Sequence, residues 1–372
     1  MVQMKSLFRM KRLYLLLLIP LSFMLIAVSR KSSFFAERIY ANHIYKWISQ
    51  ILSMITGIIP FSISEFLFIA FPIVILLILI RFIYKLIKDK EQRLFIVTKG
   101  IINILCSLAL TLFLFVIMGG INYYRYPFSY YADLEIMDSS VDELYKLTES
   151  LAHQANDLRK EVPLVDENGV FKLSMSPFKL GKKVNQAMEE LGKEYDVLAG
   201  WRGRPKPLVL SRAMSYTDTT GIFIPFTMEA NVNVHVSDYY IPFTMLHELA
   251  HLRGFMREDE ANYIAYIAGI KSDNVEIQYS SVMMALVIAG NALYEQDPDL
   301  YFAIRQQYSD EILKDLRKNA EYWVRYKDTI ISTVSSNVND QYLKANAQED
   351  GVKSYGRMLD LLLANFRQSK DK

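Results

Sequence analysis

The stretch His247-Glu248-Leu249-Ala250-His251 decides most of what this chain can be. On a helix, residues four positions apart project from the same face, about one turn apart. Both imidazoles can therefore bind one tetrahedral Zn²⁺, and the glutamate after the first histidine can reach an attacking water as a general base. The alternative interpretation is an ordinary amphipathic helix with two half-buried histidines. The chain has only five histidines in 372 residues, which favours the metal site over chance spacing.

The residues after the motif predict a second helix that delivers an acidic ligand. Gly254 can adopt the left-handed conformation that ends a helix. Glu258, Asp259 and Glu260 then crowd the start of the next helix, where the helix dipole favours acidic side chains. One of them would complete a His₂Glu catalytic zinc site that keeps one coordination position open. Because the three point about 100° apart, one helix face offers only one of them easily. A solvated helix N-terminus is the alternative interpretation.

This part of the chain resembles the gluzincin branch of zinc peptidases. In those families the ligand glutamate lies four residues before an aspartate. The segment 258–262 has that spacing, with Asn262 in place of the aspartate. The resemblance implies that Glu258 is the third ligand and that Asn262 is a hydrogen-bond partner of a ligand histidine. Glu260 is the alternative ligand.

Three features depart from the patterns of known zinc peptidases. The gap from His251 to Glu258 is shorter than in gluzincins. The opening HExxHxxG is similar to the metzincin motif, but the third metzincin ligand would fall at Arg257, which cannot bind a cation. The asparagine at 262 also polarises an imidazole less than an aspartate would.

A wider resemblance covers most of the chain. The segments 225–231 and 242–244 before the motif, and 339–344 and 354–356 after it, resemble an uncharacterised bacterial membrane family that carries a zincin signature. The resemblance implies a membrane-anchored metallopeptidase and supplies no substrate.

Three apolar runs in the first third of the chain predict transmembrane helices at about 13–29, 64–81 and 100–121. Each run approaches the roughly 20 residues that span a bilayer. Their clustering and basic flanks argue against buried helices of a soluble protein. The first run lacks a good small-residue cleavage site, which favours an uncleaved anchor over a signal peptide.

Basic residues predict the orientation in the membrane. Four precede the first run and six lie in the loop 81–99 after the second, so the N-terminus and this loop are expected in the cytoplasm. The chain from about residue 122 onward then lies outside. We therefore predict a multi-pass protein of the cytoplasmic (cell) membrane. It has a membrane domain at 1–121 and an extracytoplasmic catalytic domain at 122–372. The amphipathic segment 35–59 is expected at the outer interface or under the catalytic domain.

The outer domain reads as a zincin-like α+β domain with many helices and a small sheet. A capping box at Ser140 and Glu143 opens a helix to about Lys160, and a second helix runs from about Pro177 to Tyr195. Predicted strands lie at 208–210, 221–226 and 230–236, a buried core helix at 282–294, and charged helices at 309–332 and 355–366. The resemblance implies that an edge strand of the sheet pairs with substrate. A plain supporting sheet is the alternative.

These patterns together predict a mainly α fold, with three transmembrane helices followed by the zincin-like domain. The expected function is that of a membrane-anchored zinc-dependent peptidase, with a peptide or protein substrate and the lipid bilayer as its partners. Tyr355 and Tyr279 are weak candidates for an oxyanion donor, and a buried structural tyrosine is the favoured interpretation of each. A basic tract with interleaved aromatics is missing from the sequence, which argues against nucleic acid. A non-catalytic sensor or scaffold with a zincin fold, and a zinc amidase acting on a cell-wall amide, are the alternatives.

Overall fold

The computed structural model describes residues 11–349 and 351–370, which are mainly helical and include one three-stranded sheet. In chain order the first elements are a 3₁₀ segment Lys11–Leu17, helix α1 Leu18–Lys31, a π-helical segment Phe35–Tyr45, and helices α2 Lys46–Gly57, α3 Ile63–Lys88 and α4 Arg93–Met118. Next come α5 Phe128–Tyr131, α6 Val141–Glu161, α7 Pro177–Glu194, strand β1 Lys206–Pro207, α8 Ser211–Ser215, and strands β2 Gly221–Ile224 and β3 Glu229–Val232. The last elements are α9 Tyr240–Leu252, α10 Glu258–Ile270, α11 Val275–Gln296, α12 Pro298–Arg305, α13 Asp310–Val324, α14 Ile330–Ala345 and α15 Met358–Lys370.

Several helices are long and apolar enough to cross a membrane. Within the described ranges these are Lys11–Lys31, Ile63–Lys88, Lys90–Met118 and Val275–Gln296, and the first three overlap the apolar runs of the sequence. The helices of the first third of the chain differ in burial from Val275–Gln296. Helix α3 has no buried residue, so its apolar side chains project outward. By contrast, 61% of the apolar window of α11 is buried, which confirms a core helix around 282–294, although the helix is longer than predicted.

The segment that follows the first apolar helix packs beneath the rest of the chain. Tyr40 and Tyr45 are buried, whereas Ile44, Trp47 and Ile51 are exposed. One face of Phe35–Tyr45 and α2 therefore contacts the core and the other presents apolar surface. Of the two placements expected for this amphipathic segment, packing against the rest of the chain is observed.

The start of α3 is tied to the sheet. The carboxylate of Glu229, in β3, accepts hydrogen bonds from the backbone N–H of Ile63 at 2.9 Å and of Ser64 at 2.7 Å. Lys206, in β1, forms a buried ion pair with the same carboxylate. A negative group at a helix N-terminus is favoured by the helix dipole. The apolar helix and the sheet are thus fixed to each other at one point.

A second contact at the start of α3 explains why the predicted strand at 208–210 does not form. The carboxylate of Glu65, in the first turn of α3, accepts from the backbone N–H of Val209 at 3.1 Å and of Leu210 at 2.6 Å. These two N–H groups therefore bond to a side chain of α3 and not to a neighbouring strand, and β1 ends at Pro207. The β-branched composition of this stretch carried no information about that distant carboxylate.

Three other predicted boundaries were wrong, two of them because a local side chain caps or turns the backbone. Strand β3 stops at Val232 because the side-chain oxygen of Asn233 accepts from the backbone N–H of His235 at 2.9 Å and turns the chain. The predicted helix 309–332 is two helices, since Thr329 caps a new helix by accepting from the backbone N–H of Ser332 at 3.0 Å. The helix predicted to begin at 355 begins at Met358. The capping box that opens α6, formed by Ser140 and Glu143, is confirmed.

The sheet and the motif helix form the centre of the fold. The strand order is β1-β3-β2, with β1 parallel and β2 antiparallel to β3, and every residue of β3 is buried. Helix α9 packs against β3, β2, α10 and α11, and its residues from Ile241 to Leu252 are all buried. The HExxH residues therefore lie in the core, with β2 as an edge strand beside them.

Candidate metal centre

The end of α9 returns the chain so that α10 lies alongside it. Gly254 has a φ of 88°, as predicted for a residue that ends this helix. Its backbone N–H donates to the His251 carbonyl at 2.8 Å, and the Phe255 N–H donates to the Ala250 carbonyl at 3.2 Å. This pair of bonds is the Schellman motif. Only three residues then separate Gly254 from Glu258, so the acidic start of α10 comes back to the motif.

Three side-chain atoms converge between α9 and α10. The Nε2 atoms of His247 and His251 are 2.9 Å apart. One carboxylate oxygen of Glu258, Oε2, lies 3.1 Å from the first and 3.5 Å from the second. All three residues are buried. The structure therefore groups the three residues expected as metal ligands.

The spacing of these atoms suits a tetrahedral metal ion. Metal–ligand bonds of about 2.0–2.1 Å place tetrahedral ligand atoms about 3.3 Å apart. The three observed separations, 2.9, 3.1 and 3.5 Å, lie around that value. The converging oxygen of Glu258 is also buried, and no hydrogen-bond donor among the described residues serves it. A buried anionic oxygen needs a compensating partner, and a cation between the three atoms would supply it.

Hydrogen bonds on the far side of each ring aim the imidazoles inward. The Nδ1 of His247 lies 2.7 Å from the side-chain oxygen of Asn262, and the Nδ1 of His251 lies 2.8 Å from the Phe255 carbonyl. Because both partners are oxygen acceptors, each Nδ1 carries the proton when the ring is neutral. Both Nε2 atoms then direct lone pairs at the same point. Such outer partners fix the tautomer of metal-binding histidines, and Asn262 stands where the gluzincin resemblance implies one.

The charges of the cluster favour cation binding. Burial opposes the charged form of Glu258, but the two histidines outweigh it and hold the pKa of Glu258 at about 2. Burial likewise opposes a charged His251, but the Glu258 carboxylate raises the pKa of His251 to about 9. Glu258 is therefore an anion at neutral pH. A metal ion that binds here replaces a proton, so its affinity should fall as the pH falls.

Glu248 lies beside the cluster without belonging to it. Burial raises the pKa of Glu248 to about 7, although the neighbouring histidines oppose the shift. Its Oε2 atom is buried and has no hydrogen-bond partner within the described residues. A carboxyl group whose pKa lies near neutrality can both accept and donate a proton, as a general acid–base catalyst must.

Strand β2 approaches Glu248 so closely that only glycine fits. A β-carbon at Gly221 would lie 2.3 Å from the Oε1 atom of Glu248 and 2.7 Å from the methyl group of Thr244. The pairing of β2 with β3 explains the approach. Asn233 donates its N–H to the Thr220 carbonyl, so by alternation the N–H groups of Gly221 and Phe223 point away from β3. The N–H of Phe223 is directed to the Glu248 carboxylate and lowers its pKa slightly.

The alternative ligand Glu260 lies elsewhere. Its Oε1 atom accepts from the backbone N–H of Phe128 at 3.1 Å and lies 3.7 Å from the Arg257 guanidinium. Burial, followed by the nearby Asp259 carboxylate, raises the pKa of Glu260 to about 8. Asp259 itself pairs with Arg257 at 2.8 Å. The three neighbouring acids thus face three different partners, and Glu258 is the one that faces the histidines.

Residues 40–363 match the family described as a protein of unknown function, DUF3810. The chain belongs to the DUF3810 family. Comparison with curated proteins and with solved structures gives no match. Membership therefore assigns no activity, and the functional conclusion depends on the geometry of the centre.

The structure of this DUF3810 protein describes the surroundings of only one of the two tyrosines expected as oxyanion donors, Tyr279. Tyr279 is fully buried, and its hydroxyl donates to Asp315 at 2.6 Å. Asp315 also pairs with Arg159 at 2.7 Å, so the described contacts of Tyr279 belong to a buried ion pair. The side chain of Tyr355 lies outside the described part of the structure.

A tyrosine that the sequence did not single out, Tyr342, lies near the candidate ligand Glu258. Burial raises the pKa of Tyr342, in α14, and the Glu258 carboxylate contributes to the shift. The hydroxyl of Tyr342 is 3.1 Å from that of Tyr123. Just after α14, the side-chain oxygen of Gln348 accepts from the Glu258 N–H at 3.0 Å. Tyr342 lies inside the segment 339–344 of the wider resemblance, which was the available signal.

Residues next to the apolar helices hold the end of α9. The hydroxyl of Tyr45 lies 3.2 Å from the His251 carbonyl and 3.3 Å from the Leu252 carbonyl, and can donate to either. Arg125, paired with the buried Glu37 at 2.8 Å, donates to the Arg253 carbonyl at 3.3 Å. The last carbonyls of a helix have no partner within the helix. In the DUF3810 chain, side chains from the segments beside the long apolar helices supply those partners, one of them at the carbonyl of the candidate ligand His251.

Proposed function

We propose that this protein is a membrane-anchored zinc-dependent peptidase. The observation that carries the proposal is the convergence of His247, His251 and Glu258 with Glu248 placed beside them. Two imidazoles and one carboxylate form the donor set of His₂Glu catalytic zinc sites, which keep a coordination position open for chemistry. Zinc, when bound, would supply a Lewis acid that polarises the scissile carbonyl and makes water more acidic.

Glu248 is assigned the proton transfers. Its carboxylate accepts a proton from the attacking water and then delivers it to the leaving amine as the carbon–nitrogen bond breaks. Burial disfavours the charged form of Glu248, which supports its second role as the donor of that proton to the amine. Asn262 and the Phe255 carbonyl orient the two imidazoles during this chemistry. Tyr342 is the tyrosine whose place near Glu258 best suits an oxyanion donor.

Strand β2 is the proposed docking edge for an extended substrate. It lies at the edge of the sheet, and within the described residues its outer side pairs with no other strand. The outward N–H group of Gly221 is available for strand addition, whereas that of Phe223 is directed to Glu248. A peptide held along this edge would pass Glu248, which is close enough to exclude a side chain at Gly221.

The proposal places three helices in the bilayer, at about 13–29, 64–81 and 100–121, and the metal centre outside the cytoplasm. Basic residues before the first helix and between the second and third support this orientation. The outward apolar side chains of α3 support a lipid environment. The tie between α3 and the sheet through Glu229 would keep the centre close to the membrane surface.

A non-catalytic zinc-binding scaffold is the second candidate. Asn262 favours it, because an amide polarises the His247 ring less than the aspartate of gluzincins does. The buried Glu248 argues against it, since a purely structural zinc site has no need of an additional buried carboxylate.

Hydrolysis of a broad set of unstructured peptides by the purified full-length protein separates the two candidates. We expect zinc-dependent cleavage in the natural protein. In Glu248→Gln the rate should fall by about 10²–10⁴, while the zinc content stays the same. Cleavage retained in Glu248→Gln would reject the assigned mechanism. Zinc binding with no cleavage by the natural protein would favour the scaffold.

A further inference from the structure

A cavity of about 710 Å³ lies between α11, α12 and α13. Its apolar lining includes Leu286, Val287, Tyr301, Phe302, Leu313 and Leu316. Small-molecule sites typically enclose about 300–1,000 Å³ and combine apolar walls with a few polar groups. None of the residues of the metal centre lines this cavity. It therefore has the size and lining of a second, separate ligand site.

A glycine inside α11 shapes the wall. A β-carbon at Gly290 would lie 3.3 Å from the Tyr301 ring and 3.7 Å from the Tyr308 hydroxyl. Glycine in the middle of a helix is unfavourable relative to alanine, so its place here is explained by the close approach of these rings. Substituting a larger side chain at Gly290 would push into the space that the rings define.

The charged groups of the cavity have one sign. Among the described residues that line it, only Arg305 and Arg317 are charged. The guanidinium of Arg305 donates to the Tyr301 hydroxyl at 3.1 Å. Within the described residues, neither arginine forms an ion pair with a carboxylate. Arg305 is half-buried and Arg317 is exposed, so the cavity offers an anion two accessible cations beside its apolar walls.

Exposed aromatic rings adjoin the opening. Tyr294 and Phe302 are each 49% exposed, and their ring centroids lie 6.0 Å apart. Tyr301 packs against both, at 5.4 Å and 5.5 Å. Exposed apolar surface that is continuous with a cavity marks a binding site more often than isolated exposed residues do. The apolar surface therefore extends from the cavity to its mouth.

We propose that this cavity binds a single-chain amphiphile with one acidic head group. The acidic group pairs with Arg305 and Arg317, and the chain lies against Leu286, Leu313 and Leu316. Arginine forms strong charge-assisted bonds with carboxylates and phosphates. A neutral amphiphile leaves the two cations unpaired, and a highly charged, fully polar anion leaves the apolar walls uncovered. The proposal is independent of the activity of the metal centre.

Equilibrium dialysis with radiolabelled dodecanoate tests the proposal on full-length protein in discs of neutral phospholipid, with protein-free discs subtracted as background. We expect saturable binding at about one site per chain, and weaker binding of dodecanol, which has the same chain without the charge. Arg305→Gln combined with Arg317→Gln should weaken dodecanoate binding about tenfold or more. Arg325→Gln, just beyond α13 and outside the lining, is the matched control and should leave it unchanged.

A cavity-filling variant gives a second, independent readout. Gly290→Leu should abolish binding without affecting zinc content. If this variant does not fold, the arginine variants still decide the question, since they change only the charged part of the lining. Equal binding of dodecanol and dodecanoate, or unchanged binding in the double arginine variant, would overturn the proposal. So would the lack of any saturable binding above the protein-free discs.

Discussion

Helix α3 and the helix pair α9–α10 both depart from the usual rule that apolar side chains are buried and charged ones exposed, in opposite ways. Along α3 the apolar side chains face outward and none is buried. In α9 and α10 the titratable side chains His247, Glu248, His251, Glu258 and Glu260 are buried. In a soluble protein without ligands, both arrangements would be unfavourable.

Under the proposed function, each region depends on a component outside the polypeptide. Exposed apolar surface is stabilised when lipid replaces water around it. Buried carboxylates are stabilised when a cation or a precise set of donors replaces their water. Residues beside the other apolar helices reach the second region, because Tyr45 and Arg125 contact the end of α9. Segments that adjoin the long apolar helices and the His–His–Glu cluster are therefore neighbours in the fold.

The largest expected effect is on the metal side of the comparison. Removing the metal with a chelator should destabilise the protein by about 4 kcal/mol, if the metal is present at about 1,000 times its Kd. Thermal unfolding in detergent measures the shift, and restoring zinc is the control. An unchanged unfolding temperature would mean that the buried acids are stabilised without a cation.

A charge placed in α3 probes the lipid side. Leu77→Lys, near the middle of this apolar helix, should cost about 2.5–3.5 kcal/mol of membrane insertion. Tyr84→Lys, near the basic end of the helix, is the matched control and should cost less because lysine reaches the interface there. Carbonate extraction of cell membranes measures the integrated fraction. Equal integration of Leu77→Lys and the natural protein would argue against a lipid-facing α3.

The contact between strand β2 and Glu248 can be disturbed without removing a ligand. In Gly221→Ala the new methyl group would press on Glu248, which we expect to cost about 1–3 kcal/mol as overpacking. Peptide cleavage should fall while zinc content is kept. Ile222→Ala, the next residue of the strand and an exposed one, is the control. Full activity in Gly221→Ala would show that the position of Glu248 is not critical.

The smallest expected effect concerns the orienting partner of His247. Asn262→Ala should reduce zinc affinity by about 10–100-fold, because the ring loses the acceptor that fixes its tautomer. Asn262→Asp keeps an acceptor and should preserve or strengthen binding. Competition with a chromogenic zinc chelator measures both. Equal affinity in Asn262→Ala and the natural protein would remove this residue from the account.

Local relations in the sequence predicted much of the site. The spacing of His247 and His251 on one helix, the left-handed Gly254 and the capping box of α6 depend on neighbours along the chain, and the structure has all three. Helix geometry alone could not choose the third ligand among Glu258, Asp259 and Glu260, and only the gluzincin resemblance pointed to Glu258. The structure separates them by their partners.

Relations over long sequence distances escaped prediction. Tyr45 reaches the carbonyl of a residue 206 positions away, and Glu65 takes the backbone donors of a predicted strand 144 positions away. Tyr342 approaches Glu258 only because α14 and the chain after it fold back onto α10. Periodicity and propensity describe single elements, so contacts between distant elements need the assembled core.

Metal content of the purified protein tests the central claim most directly. It should be measured by mass spectrometry on the natural protein, His247→Ala and the isosteric pair Glu258→Gln and Glu260→Gln. The account predicts about one zinc per chain in the natural protein and in Glu260→Gln, with loss in His247→Ala and strong weakening in Glu258→Gln. Metal-free natural protein, purified without chelators, would contradict it. Loss of metal in Glu260→Gln with retention in Glu258→Gln would contradict the assigned third ligand.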